Sequence, residues 1–173
     1  KTTVEKTIKT FSLPVIVKPT NLGSSVGITK ANSQKELAEA IDLAFQFSNY
    51  LLIEPAITNL KEINCSVLGD ADQATASECE EPISSDKILS YADKYIGGEK
   101  NSTTDHQQGM TNLKRKLPAD ISQQLKQDVQ KYAVKAFQSL ACSGVARIDF
   151  LYDQDKKQLW LNEINTIPGS LSF

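Results

Sequence analysis

The stretch GVARIDFLYD, a DQDKK turn and QLWLNEI, which together run from residue 144 to 164, constrains this chain more than any other. Alternating apolar residues on both sides of a short polar turn read as a β-hairpin. Arg147 and Asp149 stand two apart on the first strand, so their side chains leave the same face. Glu163 and Asn165 are likewise two apart at the end of the second strand. Hairpin pairing brings the two pairs together, so the fold must include a sheet with one face that accepts Arg, Asp, Glu and Asn side by side.

Asp, Glu and Asn on one face form an oxygen-only donor set. Mg²⁺ takes such a set and leaves positions for phosphate oxygens. Arg147 beside it has the fork that neutralises a transferring phosphoryl group. The plain alternative is a solvated sheet face, the usual fate of polar residues on alternating strands. Asp, Glu and Asn are poor strand formers, however, and here they sit among Ile, Phe, Leu and Trp. Pro168-Gly169 ends the strand, as a simple turn or as a backbone N–H facing an oxyanion.

A second chemical signal lies near the start. The loop PTNLGSSVGITK (19–30) follows the apolar run PVIVK and carries small residues whose backbone N–H groups are uncovered. Such loops approach phosphates closely. Lys18 closes the preceding strand and is either a phosphate contact or a lysine snorkelling at a strand end. Glu54 and Glu62 flank a further strand boundary, and taken alone each reads as a surface carboxylate.

The rest of the chain supplies the frame. Val4, Ile8 and Phe11 are at helical spacing before Pro14. PVIVK (14–18) and VGITK (26–30) read as partner strands. Ser33 and Glu36 form a capping box ahead of a helix with Leu37, Ala40, Ile41, Ala44 and Phe45 on one face. LLIEPAI (51–57) is a strand interrupted by Pro55, and EINCSVLGD (62–70) pairs with QATASECEEPI (73–83). Residues 84–117 lack periodicity and read as a long loop, functional or disordered. Ile121, Leu125, Val129, Tyr132, Ala133, Ala136, Phe137 and Leu140 then form one apolar stripe, with Gly144 as the left-handed C-cap. Two capped helices, each with its own strands, predict two α+β lobes, 1–54 and 55–173.

Composition narrows the class. The net charge of −2 argues against a nucleic-acid or anionic-membrane partner, and no apolar run has the length of a membrane span. Three scattered cysteines form neither a disulfide framework nor a metal spacing, which suits a reducing cytoplasm. With His106 the single histidine, a His-based metal site has no material. The chain starts at Lys1 without methionine and stops at Phe173 just after NEINTIPGS, so both ends read as cut.

The set VKP-x-x-x-GSSVG, LLIE, YADKY, ARIDF and NEINTIPG, in this order, resembles the D-alanine–D-alanine ligases of the ATP-grasp superfamily. The resemblance implies an α+β fold in which two subdomains clamp ATP, with the family's N-terminal substrate domain absent from this chain. It implies that ATP phosphorylates the carboxylate of one D-alanine and that the amine of a second attacks the acyl phosphate, in peptidoglycan precursor synthesis. Lys18 would contact the ATP phosphates, Glu54 would lie at the adenine strand, Glu62 would hold the ribose hydroxyls and Lys94 would touch the nucleotide. Ser24 and Tyr95 would help close the site. Asp149, Glu163 and Asn165 would hold Mg²⁺ or Mn²⁺, and Arg147 with the N–H of Gly169 would stabilise the tetrahedral intermediate. The resemblance further implies a homodimer for the full-length protein and an inactive fragment. The alternatives are a D-alanine–D-serine or D-alanine–D-lactate ligase and, in another class, a non-catalytic nucleotide-binding module.

Overall fold

A computed structural model describes residues 2–22, 26–83 and 115–168. These fall into two compact units that part between Ile57 and Thr58. Among the described residues no helix is long and apolar enough to cross a membrane.

The first unit holds α1 (Thr2–Thr10), β1 (Val15–Pro19), β2 (Thr29–Ala31), α2 (Gln34–Phe45) and β3 (Leu51–Pro55). Its antiparallel sheet has the order β2-β1-β3. Val15 and Val17 alternate onto the buried face and meet Ala31, Leu37, Ala40, Ile41 and Ala44, with Val4 and Phe11 packed at the margin. The capping box forms as the sequence predicts: the Ser33 hydroxyl accepts from the Glu36 N–H at 3.2 Å. The return bond goes one residue further back, from the Asn32 N–H to the Glu36 carboxylate at 2.9 Å.

Three local expectations fail here. Phe45 ends α2 half exposed rather than on the buried stripe, and Ile8 is exposed while Thr7 turns inward. Strand β2 begins at Thr29, not Val26, because Gly27 adopts φ +74° and turns the chain out of the ladder. A Cβ at Gly27 would come within 2.8 Å of the Pro19 ring, so glycine is required there on both counts. Strand β3 is interrupted at Pro55 as the sequence predicts, since Pro55 ends an edge strand and has no N–H for a ladder.

The second unit holds β4 (Leu60–Gly69), β5 (Ala74–Pro82), β6 (Arg115–Lys116), α3 (Gln123–Ser139), β7 (Gly144–Asp153) and β8 (Gln158–Asn165). The antiparallel sheet order is β6-β5-β4-β7-β8. Val129, Ala133 and Phe137 of α3 pack on Ile63, Cys65, Val67, Cys79, Ala146, Ile148 and Phe150, all fully or almost fully buried. Tyr132 and Leu140, counted on the stripe by spacing, are exposed at its edge.

The C-terminus of α3 departs from expectation. Gly144 does have positive φ, but it opens β7; the left-handed residue that ends the helix is Ala141, at φ 50°. The Ala141 N–H donates to Gln138 O at 3.0 Å and the Cys142 N–H to Phe137 O at 3.1 Å, the paired bonds of a Schellman ending. An alanine in this conformation costs roughly 1–2 kcal/mol relative to glycine. Ala141→Gly should therefore stabilise the second unit by about 1 kcal/mol in urea unfolding; a lower midpoint in the variant would contradict this account of the helix end.

Candidate active site

The sheet of the second unit has two unlike faces. One is covered by α3. On the other, alternation brings forward Glu62, Asn64 and Ser66 of β4 and Arg147 and Asp149 of β7. Strand register lines these up: Glu80 lies opposite Asn64, Asn64 opposite Asp149, and Asp149 opposite Glu163. This row puts three carboxylates across four strands. In the next row Ser66 lies opposite Arg147 and Arg147 opposite Asn165.

The last strand reaches this arrangement through a bulge. Asp149 pairs with Glu163, but Phe150 pairs with Leu161, so Asn162 is an extra residue. Leu159, Leu161, Glu163 and Asn165 share one parity, and unbroken alternation would give them one face. The bulge switches the parity. Leu159 and Leu161 line a groove with Tyr132, Ala136 and Phe150 on the helix side, whereas Glu163 and Asn165 join Asp149 on the other.

The polar side chains hold one another. Arg147 donates from Nε and from one terminal nitrogen to the two oxygens of Asp149, each at 2.7 Å. The bidentate pair is the strong form of this contact, and the hydrogen bond to Asp149 raises the guanidinium pKa, against a smaller opposing effect of burial. The Asn165 amide donates to Asp149 Oδ2 at 2.9 Å and to Glu163 Oε1 at 3.4 Å. A narrow polar cleft lined by Asn64, Ser66, Ser77, Glu78, Glu80, Leu117 and Arg147 adjoins the pair. Glu80 also contacts Arg115 at 3.5 Å. Asn64, Ser66 and Glu80 were not singled out from sequence. The signal for Asn64 and Ser66 was present in the alternation of EINCSV, whose polar members share the face of Glu62.

Glu62 is the carboxylate whose environment disfavours its charge. Burial first, and the charge of Asp149 second, push its carboxyl pKa up. In the first unit, Lys18 and Glu54 form an ion pair at 2.8 Å, both partly exposed. They are diagonal neighbours on β1 and β3, since Lys18 pairs with Leu52 and Ile16 with Glu54. Structure thus brings Lys18 to Glu54, and Arg147 to Asp149, Glu163 and Asn165. Ser24, Lys94, Tyr95 and Gly169, with His106 and nearly all of the long loop, lie outside the described residues.

Among the described residues no group of three His, Cys, Asp or Glu side chains is placed to hold a metal unaided. Asp149 and Glu163 offer two directly opposed carboxylates and Asn165 an amide oxygen. That hard, incomplete set fits Mg²⁺, which keeps water and substrate phosphate among its ligands.

Known proteins carry the same frame. The family described as "D-ala D-ala ligase C-terminus" matches residues 1–173. The D-alanine–D-alanine ligase of Acetivibrio thermocellus is 41% identical over 170 residues, 98% of this chain and 41% of that protein. The ligase of Prochlorococcus marinus is 38% identical over 166 residues, 96% and 43% of the two chains. Of solved structures, the VanG D-Ala:D-Ser ligase from Enterococcus faecalis aligns with TM-score 0.77 and 30% identity, over 97% of this chain and 44% of that one. D-alanyl-alanine synthetase A from Vibrio cholerae aligns with TM-score 0.76 and 28% identity, over 97% and 47%. The chain spans less than half the length of these relatives.

The raised Glu62 pKa has a consequence for stability. A carboxyl with a folded pKa above its unfolded value contributes stability below the unfolded pKa, and that contribution is lost as pH rises through the folded one. Glu62→Gln should accordingly be more stable than the parent chain at neutral pH, with the difference shrinking as pH falls toward the ordinary value of 4.5. Urea midpoints across this range check it, and an advantage for the parent at pH 7 would contradict the burial argument.

Proposed function

The chain belongs to the D-alanine–D-alanine ligase C-terminal family, and on that premise we propose that it is the ATP-grasp part of an ATP-dependent ligase that joins two D-alanines. The observation that carries this reading is the row of Asp149 against Glu163 with Arg147 and Asn165 in the next row. It supports a site for a divalent cation and a phosphoryl group together.

The roles are those the family resemblance implies, and the chemistry of the described side chains supports them. Lys18 offers a point charge to the nucleotide phosphates once it exchanges Glu54 for them. Glu62, half-buried, can accept from ribose hydroxyls, and Glu54 stands at the adenine strand. Asp149, Glu163 and Asn165 would hold Mg²⁺ or Mn²⁺, which when bound neutralises charge on the polyphosphate and orients it for transfer. Arg147 is fixed in its plane by Asp149 through Nε and one terminal nitrogen, so the direction of its other terminal nitrogen is set before the reaction. There it can stabilise the oxyanion that develops as the amine of the second D-alanine attacks the acyl phosphate. The N–H of Gly169 is assigned the same oxyanion, Lys94 the nucleotide, and Ser24 with Tyr95 the closing of the site. The lobes assigned as 1–54 and 55–173 would serve as the central and C-terminal subdomains, in a full-length cytoplasmic homodimer acting in cell-wall precursor synthesis. The non-catalytic alternative loses support because the carboxylate pair, its amide and its arginine are all present.

Relatives are more than twice as long, so turnover is to be read in a full-length protein carrying this chain. There Glu163→Gln should lower kcat by about 10²–10³-fold, the usual effect of removing one electrostatic stabiliser, while Mg·ATP affinity falls far less. A loss in kcat smaller than about threefold would remove Glu163 from the metal set.

A further inference from the structure

Cys65 on β4 and Cys79 on β5 are direct cross-strand partners. Both are free thiols, and both lie in the core beneath α3, at 1% and 0% exposure. The working face described above does not use them. Directly opposed residues of an antiparallel pair have Cβ atoms about 4.5–5.5 Å apart, and a disulfide needs about 3.5–4.5 Å. The difference is one that local twist can supply. Twist is available at this point, because the register slips between Cys65 and Val67. There Ser77 and Glu78 oppose the single residue Ser66, and the Ser66 N–H donates to the Ser77 hydroxyl at 3.0 Å. Bulges bend the strand and increase its twist.

We propose that Cys65 and Cys79 form a redox-active dithiol site that closes to a disulfide with a small oxidant such as hydrogen peroxide and reopens with a dithiol reductant. Cys65 is the attacking sulfur. Its neighbour Cys79 lowers the Cys65 pKa, whereas Cys65 and burial raise that of Cys79, and the Cys65 sulfur also lies 3.8 Å from Ser77 O. The Cys65 thiolate attacks one peroxide oxygen, the O–O bond breaks, and Cys65 becomes a sulfenic acid as hydroxide leaves and takes up the proton that Cys65 released, giving the first water. The Cys79 sulfur then attacks the sulfenic sulfur and the S–S bond forms. The Cys79 proton goes to the departing hydroxide, which leaves as water. Two thiols lose two electrons and one peroxide becomes two waters. Access comes through β5, whose outer edge, among the described residues, is held by a two-residue ladder to β6 at Glu81 and Pro82 and at Cys79 by one bond from the Ala119 N–H to its carbonyl at 2.8 Å. Opening that strand locally uncovers the pair without unfolding the sheet. Asn64 and Ser66 flank Cys65 and point to the polar face, so the cross-link sets the twist under the cleft beside Arg147. The site stands independently of the ligase reading.

The test is a native oxidation of the purified chain with hydrogen peroxide, quenched by alkylation and mapped by peptide mass spectrometry. Cys142, half-buried past the end of α3, serves as the internal comparison. The expected product is a linked Cys65–Cys79 peptide as the dominant disulfide, lost on treatment with dithiothreitol. It should persist in Cys142→Ala and vanish in Cys79→Ala. In urea, where the fold no longer selects partners, all three pairings should appear. The proposal is overturned if Cys65 and Cys79 are recovered as free thiols at a dose that oxidises Cys142, or if the native cross-link involves Cys142. Cys142→Ala keeps the pair intact, so the result does not depend on how Cys79→Ala folds.

Discussion

The polar face of the second unit depends on one extra residue in its last strand. Without the bulge at Asn162, the alternation that carries Leu159 and Leu161 to the helix side would carry Glu163 and Asn165 there too. Two polar groups would then lie on the apolar side, and Asp149 would face no carboxylate. One inserted residue resolves the conflict between core and site within eight residues of chain. It also explains why the Arg147–Asp149 pair forms so fully: the opposing strand supplies an amide donor to Asp149.

Much of this was legible in the sequence, because period-two alternation is a strong local signal. The hairpin, the pairing of Arg147 and Asp149 with Glu163 and Asn165, the capping box at Ser33 and the antiparallel β4–β5 pair all follow from spacing. The bulge was not read from the sequence: apolar parity does shift from Leu159 and Leu161 to Ile164, but a run such as QLWLNEI reads as a plain strand until its partner is known. The failures have one kind of cause. Phe45, Tyr132 and Leu140 have helical spacing, but the apolar stripe on each helix is narrower than the spacing rule allows, so edge residues stay exposed. Gly144 was the obvious left-handed residue, yet the helix ended three residues earlier at Ala141, where no residue type announces it. Lys18 and Glu54 meet across β1 and β3, a contact fixed by register rather than by separation in sequence.

The two faces of the sheet do opposite energetic work. The α3 side buries Phe137, Phe150, Ile63, Ile148, Val67 and Val129 almost completely, each contributing on the order of 1.5–3 kcal/mol by removal from water. The other side gathers Glu62, Glu80, Asp149 and Glu163 with Arg147 and Arg115 among them, and Glu62 carries the cost as a raised pKa, from burial first and Asp149 second. Such a face is maintained by the stability of the core behind it. Under the proposed function, a cation bound there would offset the carboxylates and bring a phosphate to them.

The central claim is that nucleotide and metal are received on the strand face opposite α3. Backbone amide shifts of the isotope-labelled chain, followed by NMR as Mg·ADP is added, test it most directly. The account predicts that the largest shifts fall at Glu62, Arg147, Asp149, Glu163 and Asn165, with Tyr132, Ala136 and Leu159 of the helix-side groove unchanged. Saturable shifts confined to that groove, with the strand face silent, would contradict it.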